Sequence, residues 1–167
     1  MAAMNMPRLL AGLLVAGAGL HGLWNGPTVA AQATPGPATC TLVPAAEVEP
    51  LAGKASVSER SACRYSWGEG TGRHTLDVST SDPKQMFAGI APDLIKQQLQ
   101  ASVAPETADA VIPDVGEAAV FKADSAAYVH ATAYVKGRML HVVLDGYDAL
   151  TRKDQVIALL KSAASRL

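Results

Sequence analysis

The sequence predicts an α+β domain, in which an antiparallel sheet of about five strands has its helices packed on one face. Two observations lead to this prediction. Residues 63–67 and 127–145 alternate apolar and polar side chains with the period of a β-strand, whereas residues 83–99 and 151–167 repeat apolar side chains at helical spacing. With a short helix near residue 44, the elements follow the order α-β-β-α-β-β-β-α.

The first 33 residues have the features of a secretory signal peptide. Arg8 is followed by an uncharged apolar run over residues 9–20, which is too short to cross a bilayer. Ala31-Gln32-Ala33 then provides a small-x-small cleavage site, and cleavage after Ala31 is an alternative to cleavage after Ala33. An uncleaved membrane anchor is the other interpretation. We expect an exported protein with a periplasmic or extracellular location.

Residues 34–167 would then form a single α+β domain with one core. The whole chain carries 14 Lys and Arg against 15 Asp and Glu, a formal net charge of −1. Because the chain is nearly neutral, neither nucleic acid nor an anionic membrane surface is an expected partner. No apolar run after the signal peptide is long enough to span a membrane.

A short helix is predicted to begin at Pro44 and to end at Gly53, because proline is favoured in a first turn and glycine at a helix end. The polar residues 54–60 are predicted to be a connection. A hairpin follows, in which the strand 63–67 is joined to a return strand, 74–80, by a glycine-rich loop.

The next helical segment begins at Pro83, which a preceding serine or aspartate is predicted to cap. Gly89 and Pro92 predict a kink or a division into two short helices. A long connection over residues 104–117 leads into the C-terminal half.

The C-terminal half contains three predicted strands and the last helix. Residues 118–121 are short and apolar, residues 127–135 alternate, and Lys136-Gly137 is a two-residue turn into the strand 138–145. The helix 151–167 is predicted to pack on the small side chains of the inward face. Pairing Val135 with Arg138 sets the register, and the inward pairs are then Ala133–Leu140, Ala131–Val142 and Val129–Leu144.

Cys40 and Cys63 are the only two cysteines, and we expect them to form one disulfide in an oxidising compartment. The bond would close a loop of about 24 residues and contribute about 3 kcal/mol. A pair of free thiols is the alternative. No metal site is predicted, because no further cysteine pair or histidine stands at ligand spacing.

The outer face of the C-terminal hairpin is the candidate binding surface. In the predicted register Thr132 lies opposite His141, and His130 lies diagonally from it. Two imidazoles could hold a metal or make a pH-sensitive contact, but only Asp145 shares their face, which leaves a metal site incomplete. The tyrosines favour a small ligand or a protein partner. The predicted ligand or partner face consists of Tyr128, His130, Thr132, Tyr134, Met139 and His141.

No catalytic residue and no cofactor is predicted. The glycine-rich loop 68–72 precedes a strand, whereas a phosphate-binding loop precedes a helix. His74 and Asp77 point to opposite faces of a strand, so they do not form a Ser-His-Asp site with Ser66. The dispersed acidic residues form no pair of the kind that glycoside hydrolases use.

A few residues resemble small secreted bacterial cell-envelope proteins of unknown function. The resemblance rests on Cys40-Thr41-Leu42, on Cys63-Arg64-Tyr65-Ser66-Trp67 and on Val115-Gly116-Glu117-Ala118-Ala119, followed by a C-terminal helix. It implies the α+β fold, an envelope location, and pairing of a cysteine before the short helix with one in the first strand. It implies no activity and no functional residue. No lipobox precedes Cys40, so a lipid anchor is not expected.

Three functions are compatible with these patterns. The first is a non-enzymatic binding or accessory module of the bacterial cell envelope, whose partner is a small ligand or an envelope protein. The second is a small periplasmic hydrolase that uses His130 or His141 as a general base. The third is an inhibitory or structural protein that contacts another envelope protein through its edge strands or through residues 104–117.

Overall fold

A computed structural model of the chain describes residues 40–86 and 89–167, and the predicted signal peptide lies outside the described residues. The strands are β1 (Ser58–Ser61), β2 (Arg64–Trp67), β3 (His74–Ser81), β4 (Ala110–Val111), β5 (Ala118–Ser125), β6 (Tyr128–Val135) and β7 (Arg138–Asp145). The helices are α1 (Ala45–Ala52), α2 (Pro83–Met86), α3 (Pro92–Ala101) and α4 (Lys153–Ser165).

The described residues form one antiparallel sheet in the order β1-β2-β3-β7-β6-β5-β4, which confirms the α+β class. The predicted number of five strands was wrong, because the sheet has seven. The two additional strands are its edges. β1 has four polar residues and β4 has two residues, so neither presents an alternating pattern. Short edges also leave few unpaired backbone groups for a partner strand.

The register predicted for the C-terminal hairpin is confirmed. Val135 pairs with Arg138 across the Lys136-Gly137 turn, and Val129 pairs with Leu144 at the other end. Both turn residues have positive φ, at 47° and 77°, as a tight two-residue hairpin turn requires. The turn therefore determines which side chains of β6 and β7 face the core.

The main core lies between one face of the sheet and the helices α1 and α4. Ala131 and Ala133 are fully buried there, and their small side chains let α4 approach the sheet closely. From α1, Val48 and Leu51 enter the same core, as the sequence predicts. The buried residues of α4 are Val156, Leu159, Leu160 and Ala163.

The prediction that the helices pack on one face of the sheet was wrong. α3 lies against the opposite face, where Ile95 forms a separate buried cluster with Tyr134 and Met139. The sequence predicts the apolar side of this helix but carries no signal for the sheet face that receives it. The helical segment is divided between α2 and α3, as Gly89 and Pro92 indicate.

The predicted disulfide between Cys40 and Cys63 is present. It ties the start of the described chain to the β1–β2 turn, where Cys63 has a positive φ of 63°. Glu59 supports the bridge, since its Oε1 accepts the backbone N–H groups of both cysteines, at 3.0 and 3.4 Å. In addition, the Tyr65 hydroxyl donates to the carbonyl of Val43, which fixes the segment leading into α1.

Candidate functional site

All six residues of the predicted face point to the same side of the sheet, away from the alanines of the main core. Thr132 pairs with His141 and Tyr134 pairs with Met139, as expected from the register. Their surroundings differ, however, because Tyr128 is 40 % exposed whereas Thr132 and Tyr134 are each 6 % exposed. The predicted face is therefore divided into an open part and a covered part.

α3 covers the end of this face that carries Tyr134 and Met139. Both side chains are buried against Ile95, and Ile90 and Leu99 pack around the cluster. Because the sheet separates this cluster from the main core, the domain has apolar layers on both sides of its sheet. Tyr134 and Met139 thus serve to dock a helix rather than to present an open surface.

His141 lies between two hydroxyl groups in the middle of the face. Its Nδ1 is 3.2 Å from Oγ1 of Thr132, and its Nε2 is 3.3 Å from Oγ of Ser81. Burial lowers the pKa of His141, and the nearby His130 lowers it further. A neutral imidazole has one N–H to donate and one lone pair to accept with, and two hydroxyls can satisfy both. A neutral His141 can therefore accept a hydrogen bond from one hydroxyl and donate one to the other.

The open part of the face is at the opposite end of the hairpin. The ring of Tyr128 meets His130 edge-on, with 6.3 Å between the ring centroids. Nδ1 of His130 lies 3.5 Å from a carboxylate oxygen of Asp124 in β5. These side chains form a small polar corner, and the covered Tyr134 is not part of it.

A cavity of about 510 Å³ opens between α3 and the β6–β7 turn, and we call it the α3 cavity. Its base is apolar, because Ile90, Ile95 and Tyr134 contribute to it. Its volume falls in the usual range for small-molecule sites. The described residues that line it are Asp82, Pro83, Lys84, Ile90, Pro92, Ile95, Tyr134, Lys136, Gly137 and Arg138.

The rim of the α3 cavity is basic. Lys84, Lys136 and Arg138 are exposed there, and in the described part of the chain none of them has a carboxylate within 4 Å. The two nearby carboxylates accept hydrogen bonds from the backbone instead. Asp82 accepts one from the N–H of Lys84, and Glu117 accepts one from the N–H of Lys136. The unpaired cations over an apolar base favour a ligand with an apolar body and an anionic group.

A second polar cluster surrounds His74 on the core side of β3. Its Nε2 is 2.5 Å from a carboxylate oxygen of Asp148, and its Nδ1 is 3.0 Å from the carbonyl oxygen of Gly72. The two contacts are made by the two ring nitrogens, so together they fix the orientation of the imidazole. The ring is stacked on Trp67 and lies 5.2 Å from the ring of Tyr147, so this histidine is enclosed.

Asp148 connects this cluster to α1. Two nitrogens of Arg152 donate to its carboxylate, at 3.2 and 2.9 Å, and a third donates to the carbonyl of Leu51. The hydrogen bonds from Arg152, and then that from His74, lower the pKa of Asp148 to about 2. Gly146 permits this arrangement, since a Cβ there would collide with the His74 ring. The cluster is closed and satisfied, which indicates a structural role.

Several of these residues were not identified from the sequence. The sequence indicates Ser81 only as a candidate helix cap and Lys136 only as a turn residue. The run Lys136-Gly137-Arg138, two residues after Tyr134, is the one local signal for a basic rim beside an aromatic side chain. The approach of Ser81 to His141 has no such signal, because 60 residues separate the two along the chain.

Among the residues that the structure describes, no three of His, Cys, Asp and Glu stand close enough together to hold a metal ion. None of the helices in residues 40–86 and 89–167 combines the length and the apolar composition that a bilayer span requires. Comparison with protein-family models, with curated proteins and with solved structures found no match to this chain. The resemblance to secreted envelope proteins therefore stays a prediction from the sequence.

Proposed function

We propose that this chain is an exported protein of the bacterial cell envelope whose folded domain binds a small amphipathic anion in the α3 cavity. One observation carries the proposal: an apolar base that includes Tyr134 lies beneath three basic side chains without carboxylate partners among the described residues. A ligand with both an apolar body and a carboxylate would contact both parts of such a site. Binding requires no chemistry from the protein, in keeping with a non-enzymatic module.

Two features support the export part of the proposal. The first 33 residues have the composition and cleavage pattern of a signal peptide. The chain also forms a disulfide, and disulfides persist mainly in proteins of oxidising compartments. Fractionation of cells that express the chain, with mass measurement of the mature protein, would test export and locate the cleavage site.

Octanoate is a suitable first probe of the α3 cavity, with 1-octanol as an uncharged probe that has the same number of carbon atoms. We expect octanoate to raise the Tm of the oxidised protein in a saturable way, because a ligand that binds only the folded state stabilises it. The double substitution Lys136→Gln with Arg138→Gln removes two charges from the rim. It should raise the octanoate concentration that gives half of the maximal rise in Tm by about tenfold or more.

Lys54→Gln is the control for removal of a surface charge, because Lys54 is exposed after α1 and does not line the cavity. It should leave the octanoate response unchanged. Equal stabilisation by octanol and octanoate, or an equal loss in both variants, would contradict an anion site on this rim.

A second candidate function is a small hydrolase, and the specific observation in its favour is the Ser81–His141 contact. Oγ of Ser81 lies 3.3 Å from Nε2 of a histidine whose pKa is lowered, and Thr132 holds the other ring nitrogen. This geometry provides a nucleophile and a base. The α3 cavity provides a defined space of ligand size, whereas the Ser81–His141 contact is a single side-chain pair, so this function ranks second.

Phenylmethylsulfonyl fluoride tests the hydrolase directly. A nucleophilic Ser81 would attack the sulfonyl sulfur, release fluoride and gain the sulfonyl group, which intact-protein mass spectrometry detects. The hydrolase function predicts one adduct in the wild type, none in Ser81→Ala, and slow labelling in His141→Ala. An unlabelled wild type would eliminate the Ser81 nucleophile and leave the binding function unaffected.

A further inference from the structure

A second cavity, of about 480 Å³, lies at the β1 edge of the sheet, and we call it the edge cavity. It opens between residues 55–60 and the connection from β2 to β3. Its lining shares no residue with that of the α3 cavity. The edge cavity is therefore a separate feature from the site of the proposed function.

Two arginines from different segments reach the edge cavity. Arg60 is oriented by β2, because its Nε donates a 2.8 Å hydrogen bond to Oγ of the buried Ser66. This leaves its two terminal nitrogens for other partners. Arg73 enters from the start of β3. Among the described residues, no carboxylate lies within 4 Å of either guanidinium, although Glu69 also lines the cavity.

Trp67 and Gly68 line the edge cavity together with the two arginines. Gly68 has a φ of 74°, and a Cβ there would collide with the carbonyl of Gly72, so the loop closes only with glycine at this position. Trp67 is buried and lies parallel to the ring of His74 at 5.4 Å. Its Nε1 is buried without a hydrogen-bond partner in the described chain, which is uncommon for a polar atom in a folded protein.

We propose that the edge cavity binds a tetrahedral oxyanion, a phosphoryl or sulfuryl group. The side chains that line it are mainly donors: the guanidinium groups of Arg60 and Arg73 and the hydroxyls of Ser56 and Ser58. One guanidinium fork satisfies a planar carboxylate, whereas the additional oxygens of a tetrahedral anion accept from donors that approach from a second direction. The two arginines come from such separate segments.

The experiment is an NMR titration of the full, oxidised, ¹⁵N-labelled chain with inorganic phosphate, inorganic sulfate and acetate in separate arms at matched ionic strength. The chain has two tryptophans, Trp24 and Trp67, and the variant Trp24→Phe assigns their indole N–H signals. We expect phosphate or sulfate to shift the Trp67 indole signal and the amides of residues 66–73 in a saturable way. Saturation by phosphate alone identifies a phosphoryl ligand, and saturation by sulfate alone identifies a sulfuryl ligand.

Arg73→Gln is the decisive variant, because the Arg73 side chain makes no hydrogen bond to other described residues that folding would need. It should weaken binding by about tenfold or more. Arg64→Gln carries the same change of charge on the neighbouring strand, where Arg64 pairs with Asp77 outside the cavity, and should bind as the wild type does. Arg60→Lys, which keeps the charge but loses the fork, should also weaken binding.

Three results would overturn the proposal. One is a set of shifts that grow linearly without saturation in both oxyanion arms. Another is an equal loss of binding in Arg73→Gln and Arg64→Gln, which would indicate a general charge effect. The third is acetate binding as tightly as phosphate and sulfate, which would make the site one for carboxylates.

Discussion

His74 occupies a buried position that its neighbours in the sequence do not reveal. The sequence offers Asp77, three residues away, as a partner, and strand geometry correctly separates the two, since Asp77 binds Arg64 instead. The actual partner, Asp148, lies 74 residues along the chain. Because such a contact depends on the pairing of β3 with β7 and on the missing side chain of Gly146, no local spacing predicts it.

Acid should destabilise the protein partly through Asp148. Its pKa is about 2 in the folded state, below the ordinary value of 3.8. Between these two pH values the carboxylate stays ionised in the folded state, whereas in the unfolded chain it takes up a proton. The resulting stabilisation, about 2 kcal/mol, is present above about pH 4 and is lost as the pH falls towards 2. Asp148→Asn should therefore lower the free energy of unfolding at pH 7 and flatten its decline between about pH 4 and 2, as measured by urea titrations.

Asp114→Asn is the control for this pH dependence. Asp114 is exposed and has a φ of 61°, a conformation that asparagine also adopts. This variant should retain the acid dependence of the wild type. If Asp148→Asn retained it as well, the acid sensitivity would belong to other carboxylates.

The sequence predicts the position of some helices and strands better than that of others. The β6–β7 register follows from the Lys136-Gly137 turn and the alternation on either side of it, because a shift by one residue would exchange the two faces. The apolar side of α3 is equally clear in the sequence, but it does not indicate which surface the helix packs against. Its docking on Tyr134 and Met139 places two of the six residues of the predicted binding face in a packed layer.

Ile95→Ala should lower the free energy of unfolding by about 2 kcal/mol, because it removes a buried side chain from the cluster under α3. Leu94→Ala, at the adjacent position, should change it by less than about 0.5 kcal/mol, since Leu94 is 50 % exposed. Chemical denaturation followed by circular dichroism measures both. Similar losses in the two variants would contradict the docking of α3 through Ile95.

At the scale of the whole molecule, the sequence predicts the class, the central strands, the disulfide and the helices of the main core. It does not predict the two edges. Ser58-Glu59-Arg60-Ser61 has no apolar alternation, and β4 is too short to carry a pattern. Both edge strands form by pairing with a neighbouring strand, so their own residues do not predict them. The edge cavity was missed for the same reason, because β1 forms one of its walls.

Removal of the disulfide should destabilise the whole domain. The bridge joins residues 23 apart in sequence, and its loss should lower the free energy of unfolding by about 3 kcal/mol through the greater freedom of the unfolded chain. We expect dithiothreitol to lower the urea midpoint of the wild type and to leave that of the double variant Cys40→Ala, Cys63→Ala unchanged. A wild-type midpoint that is insensitive to the reductant would contradict this contribution.

β3 acts as a spacer between the two cavities. Arg73, which lines the edge cavity, immediately precedes this strand, and Asp82, which lines the α3 cavity, immediately follows it. An eight-residue strand is roughly 27 Å long, about three times the distance of roughly 8 Å over which physiological salt screens a charge. Charges at one end are thus electrically isolated from the other. Occupancy of one cavity should leave the affinity of the other unchanged, and only a molecule long enough to span the strand could engage both.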